Sequence, residues 1–500
     1  MRNGGFFMSR LIYKNPILHL DYSDPDAIRV GDDFFMVASS FNHVPGLPVL
    51  HSKNLVEWKL VNYVFENVPF ERFKDVQHGH GAWAPSIRYH NGIYYCIIPF
   101  PDEGIYVSQT TDPFGKWSDL WCVIEGKGII DPCPIWTEDG KCYIATGFAK
   151  SRCGFNSVIG LYEVTPDLKT QLSDYTIVYD GHDNDPTIEG PKFNVRNGYY
   201  YIMAPAGSVK TGWQVCLRSK NIYGPYERKV VLFQSDTQIN GPHQGALVDI
   251  DDNDNWAFLH FQDKKCYGRV VHLQPVTWVN DWPICGECRD ELLAGTPVAT
   301  GEYPISIKTD FYLPTSDDFC SDTLSLIWQT PANKKEGWYE LKDGLKLNCY
   351  YHNEEAYNAL NLTPNIFMQK LAYLSFDASV CVKLDLQNEG DEIGLCLMGK
   401  DYAYVCVRRE NGTNVLYFAD GHFGIEKDTY LKGAVLKDDE IILNLRYDEP
   451  NVVKFGYDEK ICSNNYYVSP GRWIGSKVGI YAKGKAGSAG SATFRMFDMK

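Results

Sequence analysis

The chain has 500 residues, 44% hydrophobic and 22% charged, which fits a soluble globular protein of two or three domains. Its net charge of −15 repels phosphate backbones, and no Lys/Arg-rich block interrupts it, which argues against nucleic-acid binding. No stretch approaches the roughly 20 apolar residues of a membrane span, and the opening MRNGGFFMSR lacks the apolar run and cleavage site of a signal peptide.

The 33 Tyr, 25 Phe and 12 Trp tilt the chain toward β structure and suit a neutral sugar substrate. Most of the 15 cysteines sit singly in apolar runs, as do Cys96, Cys142, Cys216 and Cys406. They read as buried thiols of a reducing compartment, so a cytoplasmic location is expected. Cys285-Gly-Glu-Cys288 has no partner pair and reads as a surface turn.

A turn followed by an aromatic-rich strand recurs along the first half. The copies are Gly31-Asp-Asp-Phe-Phe-Met-Val, Asn91-Gly-Ile-Tyr-Tyr-Cys-Ile, Asp139-Gly-Lys-Cys-Tyr-Ile-Ala and Asn197-Gly-Tyr-Tyr-Tyr-Ile-Met, with a weaker Asp254-Asn-Trp-Ala-Phe-Leu. Asn-Gly and Asp-Gly between β formers predict hairpins. Their spacing of roughly 50–60 residues suits one four-stranded blade each, so a five-bladed propeller is predicted. A second echo follows three strands: Ser52 to Trp58, Ser108 to Trp117 and Ser219 to Tyr226 read as one recurring outer turn.

After Trp278 the pattern stops, and residues 279–306 are turn-rich. From Asp318 a new set of strands begins, with alternation in Ala403-Tyr-Val-Cys-Val-Arg and Glu440-Ile-Ile-Leu-Asn-Leu-Arg. The fold class predicted is therefore all-β: a propeller over residues 11–305 and a β-sandwich over 306–500 that packs on it.

Three carboxylates stand at equivalent places. Asp24 lies in Ser-Asp-Pro, Asp131 in Ile-Asp-Pro and Glu189 in Ile-Glu-Gly-Pro, each about ten residues before its blade's turn. Equivalent positions of successive blades converge on a propeller's axis, so the three acids are predicted to share a pocket. Alone, each reads as a turn-forming acid. Together they suit glycoside hydrolysis, which needs a proton donor and a base or nucleophile.

The motifs resemble glycoside hydrolase family 43. The matching runs are Asn15-Pro-Ile-Leu, Ser23-Asp-Pro-Asp-Ala-Ile-Arg, Trp83-Ala-Pro-Ser, Ile130-Asp-Pro, Glu189-Gly-Pro, His243-Gln-Gly, and Gly268-Arg with Leu273-Gln-Pro-Val-Thr-Trp278. The resemblance implies an inverting β-xylosidase or α-L-arabinofuranosidase acting on xylo-oligosaccharides or arabinose-containing polymers. It implies Asp24 as general base, Glu189 as general acid, and Asp131 as the residue that orients Glu189. Trp83 and Phe41 would face the sugar. Arg269 would reach its hydroxyls or hold Glu189. His243 would lie on the axis below the sugar, where it often faces a hydrated calcium; no cofactor is required. His78 and His80, in Gln-His-Gly-His-Gly, read as a loop rimming the pocket.

Two positions depart from the family pattern: Ser23 precedes Asp24 where the family has Pro, and Ser86 stands where it has His. Residues Asp318 to Gln329 and Tyr402 to Gly412 resemble the concanavalin-like domain of many family-43 xylosidases. In such relatives a sandwich loop closes the pocket, which implies exo action on a terminal sugar. The alternative for this domain is an independent carbohydrate-binding module, and for the chain a non-catalytic sugar-binding propeller. Partners predicted are an oligosaccharide, no nucleic acid and no membrane; a homo-oligomer is compatible with the sequence.

Overall fold

The computed structural model describes residues 10–289, 294–458 and 460–500, so most of the MRNGGFFMSR segment lies outside the described residues. Five four-stranded antiparallel sheets follow one another along the chain, each strand pairing with the next in sequence. They are the five blades expected. The first runs from Asp26–Val30 to Trp58–Phe65, and the second from Ser86–His90 to Trp121–Glu125. The third runs from Ile129–Trp136 to Thr176–Asp180, and the fourth from Lys192–Arg196 to Glu227–Phe233. The fifth runs from Gly245–Asp249 to Trp282–Cys285.

The hairpin turns form where the sequence places them. Asn91 and Gly92 have φ of 50° and 82°, and Asn197 and Gly198 have 51° and 72°. Positive φ at both central residues matches the right-handed twist of the flanking strands. The recurring Ser turns link third to fourth strands: Ser52 Oγ accepts from the backbone N–H of Asn54 and Leu55, and Ser219 Oγ from that of Asn221. Strands such as Gly46–Ser52 and Cys142–Phe148 are buried throughout, because each face packs on a neighbouring blade. Their sequences are therefore apolar without alternation.

The inner strands are tied into a ring. Arg88 donates to Asp26 Oδ2 at 2.6 Å and to Cys133 Sγ at 2.8 Å. The Phe193 N–H also reaches Cys133 Sγ, Asn194 donates to the Leu247 carbonyl, and Arg29 closes the circle on Asp249. Asp26 is only 1% exposed. Removing Arg88 leaves that charge buried and unpaired, so Arg88→Met is expected to cost about 3–5 kcal/mol, read as a lower denaturant midpoint with an unchanged active-site sequence.

Two differences from the sequence reading concern the end of the propeller. Strand Trp282–Cys285 continues the fifth blade past Trp278, pairing Val276 with Cys285. Cys285 is thus a blade-core residue with no exposure rather than part of a surface turn. The expectation failed because a four-residue outer strand is too short to show a period.

The second half forms a sandwich of an eight-stranded and a six-stranded sheet. Strands Phe376–Asp385 and Glu440–Asp448 alternate buried and open residues, the period of a sheet with one covered face. The sandwich docks on the propeller through paired backbone bonds: Val44 N–H to the Thr330 carbonyl at 2.9 Å, and Thr330 N–H to that of Val44 at 2.8 Å. No helix among the described residues is long and apolar enough to cross a membrane.

Candidate active site

Asp24, Asp131 and Glu189 line one cavity, together with Phe41, Trp83, Gln244, Arg269 and Trp473. Asp24 precedes the first inner strand and Asp131 lies within the third. Glu189 sits just before the fourth. Asp24 and Asp131 adopt left-handed backbone, with φ of 54° and 56°. Such conformations are costly for residues other than glycine and cluster at functional sites.

Asp24 is 6% exposed. Its Oδ2 accepts from Ser23 Oγ and Ser39 Oγ, each at 2.6 Å. Arg269 Nη1 donates to Oδ1 at 3.1 Å and to Ser23 Oγ at 2.7 Å. Ser23, the departure from the family's Pro, thus contributes a hydroxyl that fixes the carboxylate. Arg269 holds Asp24 rather than Glu189.

Glu189 is half-exposed toward the pocket, and its Oε1 lies 3.1 Å from His243 Nε2. Asp131 is buried, and its Oδ2 accepts the Gly190 N–H at 2.8 Å. That bond fixes the peptide that follows Glu189. Gly147 makes room for it: a Cβ there would lie 3.3 Å from Glu189 Cα and 3.5 Å from Asp131 Oδ2. Burial pushes the Asp131 carboxyl well above the usual carboxylate range; the charges of Glu189 and Asp24 add to this, while Lys192 opposes it.

A carboxyl raised in this way adds stability below its unfolded pKa and loses it as pH rises through the folded value. Asn keeps an acceptor for the Gly190 N–H. Asp131→Asn is therefore expected to raise Tm at mildly alkaline pH relative to the wild type, while slowing turnover. A lower Tm with unaltered turnover would show that the charge has neither role.

Lys192, 1% exposed, donates to the Pro85 carbonyl at 2.8 Å and to Ser86 Oγ at 2.7 Å. Ser86, the second departure from the family pattern, thus seats a buried cation beneath the acids. Trp83 donates through Nε1 to the Gly79 carbonyl at 3.1 Å, and Arg152 stacks over its ring at 4.9 Å. Phe41 is buried and lines the pocket at once, its ring 6.2 Å from that of Trp83.

The sequence reading did not single out Trp473, Gln244, Lys192, Gly147 or Asp21. Trp473 comes from the sandwich, and its indole meets Trp83 edge-on at 6.4 Å. Asp21 joins the two halves: its Oδ1 accepts the Arg269 N–H and its Oδ2 the Gly475 N–H, both at 2.9 Å. Its signal in the sequence was only proximity to Asp24.

His78 and His80 do not line the catalytic cavity. His78 Nε2 meets the Asn361 carbonyl, and His80 Nδ1 pairs with Asp102 at 2.7 Å. Among the described residues no group of three or more His, Cys, Asp or Glu could hold a metal. His243 Nε2 faces Glu189, while its Nδ1 is buried without a partner. With no such cluster, a calcium on the axis would be held mostly by water, with His243 facing it.

Convergent acids with an arginine, at the axis of a five-bladed propeller capped by a β-sandwich, define a carbohydrate-cleaving architecture. Residues 13–283 match the model of glycosyl hydrolases family 43, and 316–500 match that of the beta xylosidase C-terminal concanavalin A-like domain. The chain belongs to glycosyl hydrolases family 43 and is a glycoside hydrolase.

A Xylanibacter ruminicola protein provisionally named a beta-xylosidase is 43% identical over 67% of this chain, and the match spans 64% of that relative's length. A beta-xylosidase of Formosa agariphila is 29% identical over 94% of this chain and 87% of its own. A non-reducing end alpha-L-arabinofuranosidase of Bacteroides ovatus is 29% identical over 82% and 78%. Among solved structures, a Bacteroides ovatus family-43 protein of a xyloglucan PUL superposes with a TM-score of 0.83 at 26% identity, covering 98% of this chain and all of that one.

Proposed function

We propose that the protein is an inverting, exo-acting pentosidase that removes terminal β-D-xylose or α-L-arabinofuranose from oligosaccharides. The observation that carries the reading is the convergence of Asp24, Asp131 and Glu189 on one pocket that also holds Trp473. The names of the relatives, beta-xylosidase and alpha-L-arabinofuranosidase, support the pentose.

In this mechanism Asp24 accepts a proton from water as the water attacks the anomeric carbon. Glu189 gives a proton to the departing glycosidic oxygen. Asp131 positions Glu189 through the Gly190 N–H, and Arg269 orients Asp24. His243 steers the Glu189 carboxyl. An inverting pair must leave room for the water between base and acid.

The test is hydrolysis of nitrophenyl β-D-xyloside and nitrophenyl α-L-arabinofuranoside by the full chain. Turnover of either supports the reading; turnover of neither overturns it. Exo action rests on Trp473, whose indole lines the pocket from the sandwich side. Trp473→Ala is expected to raise KM by about tenfold, the effect of losing roughly 1–2 kcal/mol of aromatic contact, with a smaller change in kcat. An unchanged KM would remove Trp473 from the sugar's surroundings.

A further inference from the structure

A second cavity lies between propeller and sandwich, behind the wall of the catalytic pocket. Asn42, His43, His78, Arg472 and Lys477 supply polar groups to it, and no Asp or Glu lines it. In a chain of net charge −15, an enclosure with two cations and no acid is unexpected.

Lys477 is 5% exposed and has neither ion pair nor hydrogen bond from its amine to a described residue. Asp21 is the acid whose charge reaches it, yet both Asp21 oxygens are taken by the backbone N–H groups of Arg269 and Gly475. The residue directly opposite on the neighbouring strand is another cation, Lys370, whose amine lies 4.7 Å over the Tyr22 ring. Burial lowers the pKa of both lysines, that of Lys370 to about 7. A charged Lys477 facing Lys370 without a counter-ion is strongly unfavourable, so its charge needs an anion beside it.

The wall is also unsatisfied elsewhere: His43 Nδ1 and Asn42 Oδ1 are buried without a partner. The space open to the centre of a water-sized group is about 30 Å3, against roughly 10–15 Å3 for one water. It admits a small ion and a water, and no sugar ring.

We propose that this cavity binds a small anion, chloride or a compact carboxylate, held by Lys477 with Arg472 at its mouth. The anion supplies the counter-charge that Lys477 lacks, and an accompanying water gives Asn42 Oδ1 a donor. Arg472 adjoins Trp473 in the loop that leads into the strand opened by Lys477, so an anion seated there also steadies a residue that lines the catalytic pocket.

The test is the chloride NMR linewidth of the full chain in sodium chloride, with sodium formate and sodium glucuronate as competitors. Every readout is binding, so failure here leaves the glycosidase reading untouched. The wild type is expected to broaden the chloride line, and formate to reverse it. Lys477→Met should weaken binding by roughly tenfold or more, the loss of one charged hydrogen bond. Arg472→Gln, at an exposed position, should weaken it less. Reversal by glucuronate as well would extend the ligand to the carboxylate of an acidic sugar entering at the mouth. No broadening in the wild type, or equal broadening in Lys477→Met, overturns the proposal. Should Lys477→Met not fold, wild-type broadening that formate fails to reverse, or that Arg472→Gln leaves unaltered, overturns it as well.

Discussion

Asp24→Asn is expected to lower kcat by about 10²–10⁴-fold, the range of a lost general base, with a much smaller change in KM. The amide keeps an acceptor for Ser23 and Ser39 but takes no proton from water. Arg269 loses its counter-ion, so Tm should fall as well. The role of Asp24 is therefore read from kcat per folded molecule, at a temperature where both proteins are native. A kcat within about threefold of the wild type would be too little for a general base and would remove Asp24 from the chemistry.

The second large effect is at Glu189, and it depends on the leaving group. Glu189→Gln cannot protonate the glycosidic oxygen. On unactivated xylo-oligosaccharides kcat is expected to drop by about 10²–10⁴-fold. On a dinitrophenyl glycoside, whose phenolate departs without a proton, the drop should be far smaller. The alkaline limb of the pH profile should also disappear, because that limb reports the acid. Equal losses on both substrates would place Glu189 in another role. Asp24→Asn offers the control, since water activation is needed whatever leaves.

Much of this site was legible from local patterns. The Asn91-Gly92 and Asn197-Gly198 turns have backbone requirements that few other residues meet, so they marked hairpins. The equal offset of Asp24, Asp131 and Glu189 from their turns translated into one pocket because blades repeat about an axis. What the pattern did not carry was anything set by docking between distant parts. Trp473 lies in a loop without periodicity, and its place over Trp83 depends on how the sandwich seats on the propeller. Asp21 looks like any polar residue beside a turn, yet it bonds both Arg269 and the Trp473 loop. Lys192 reads as an edge-strand lysine and is buried under the acids. Gly147 reads as one small residue in an apolar strand, and only the approach of Glu189 explains it.

Two alternatives raised by the sequence meet different ends. A sugar-binding propeller without catalysis does not fit a chain that belongs to family 43 and keeps all three acids in one pocket. The sandwich cleft that gathers Tyr357, Tyr417 and Tyr430 buries the first two of these rings and is lined by cations and acids, so it offers no row of rings to an independent carbohydrate-binding module. It is unlike the flat aromatic platforms that suit neutral glycans.

The account's central claim is that Asp24 activates water against a bond that Glu189 protonates. Proton NMR of the first sugar released from a β-linked xylo-oligosaccharide, read before mutarotation, tests it most directly. Attack by water from the Asp24 side gives α-xylose first, and that is the expected product. β-Xylose appearing first would mean a covalent sugar intermediate, and Asp24 as a water-activating base would be wrong.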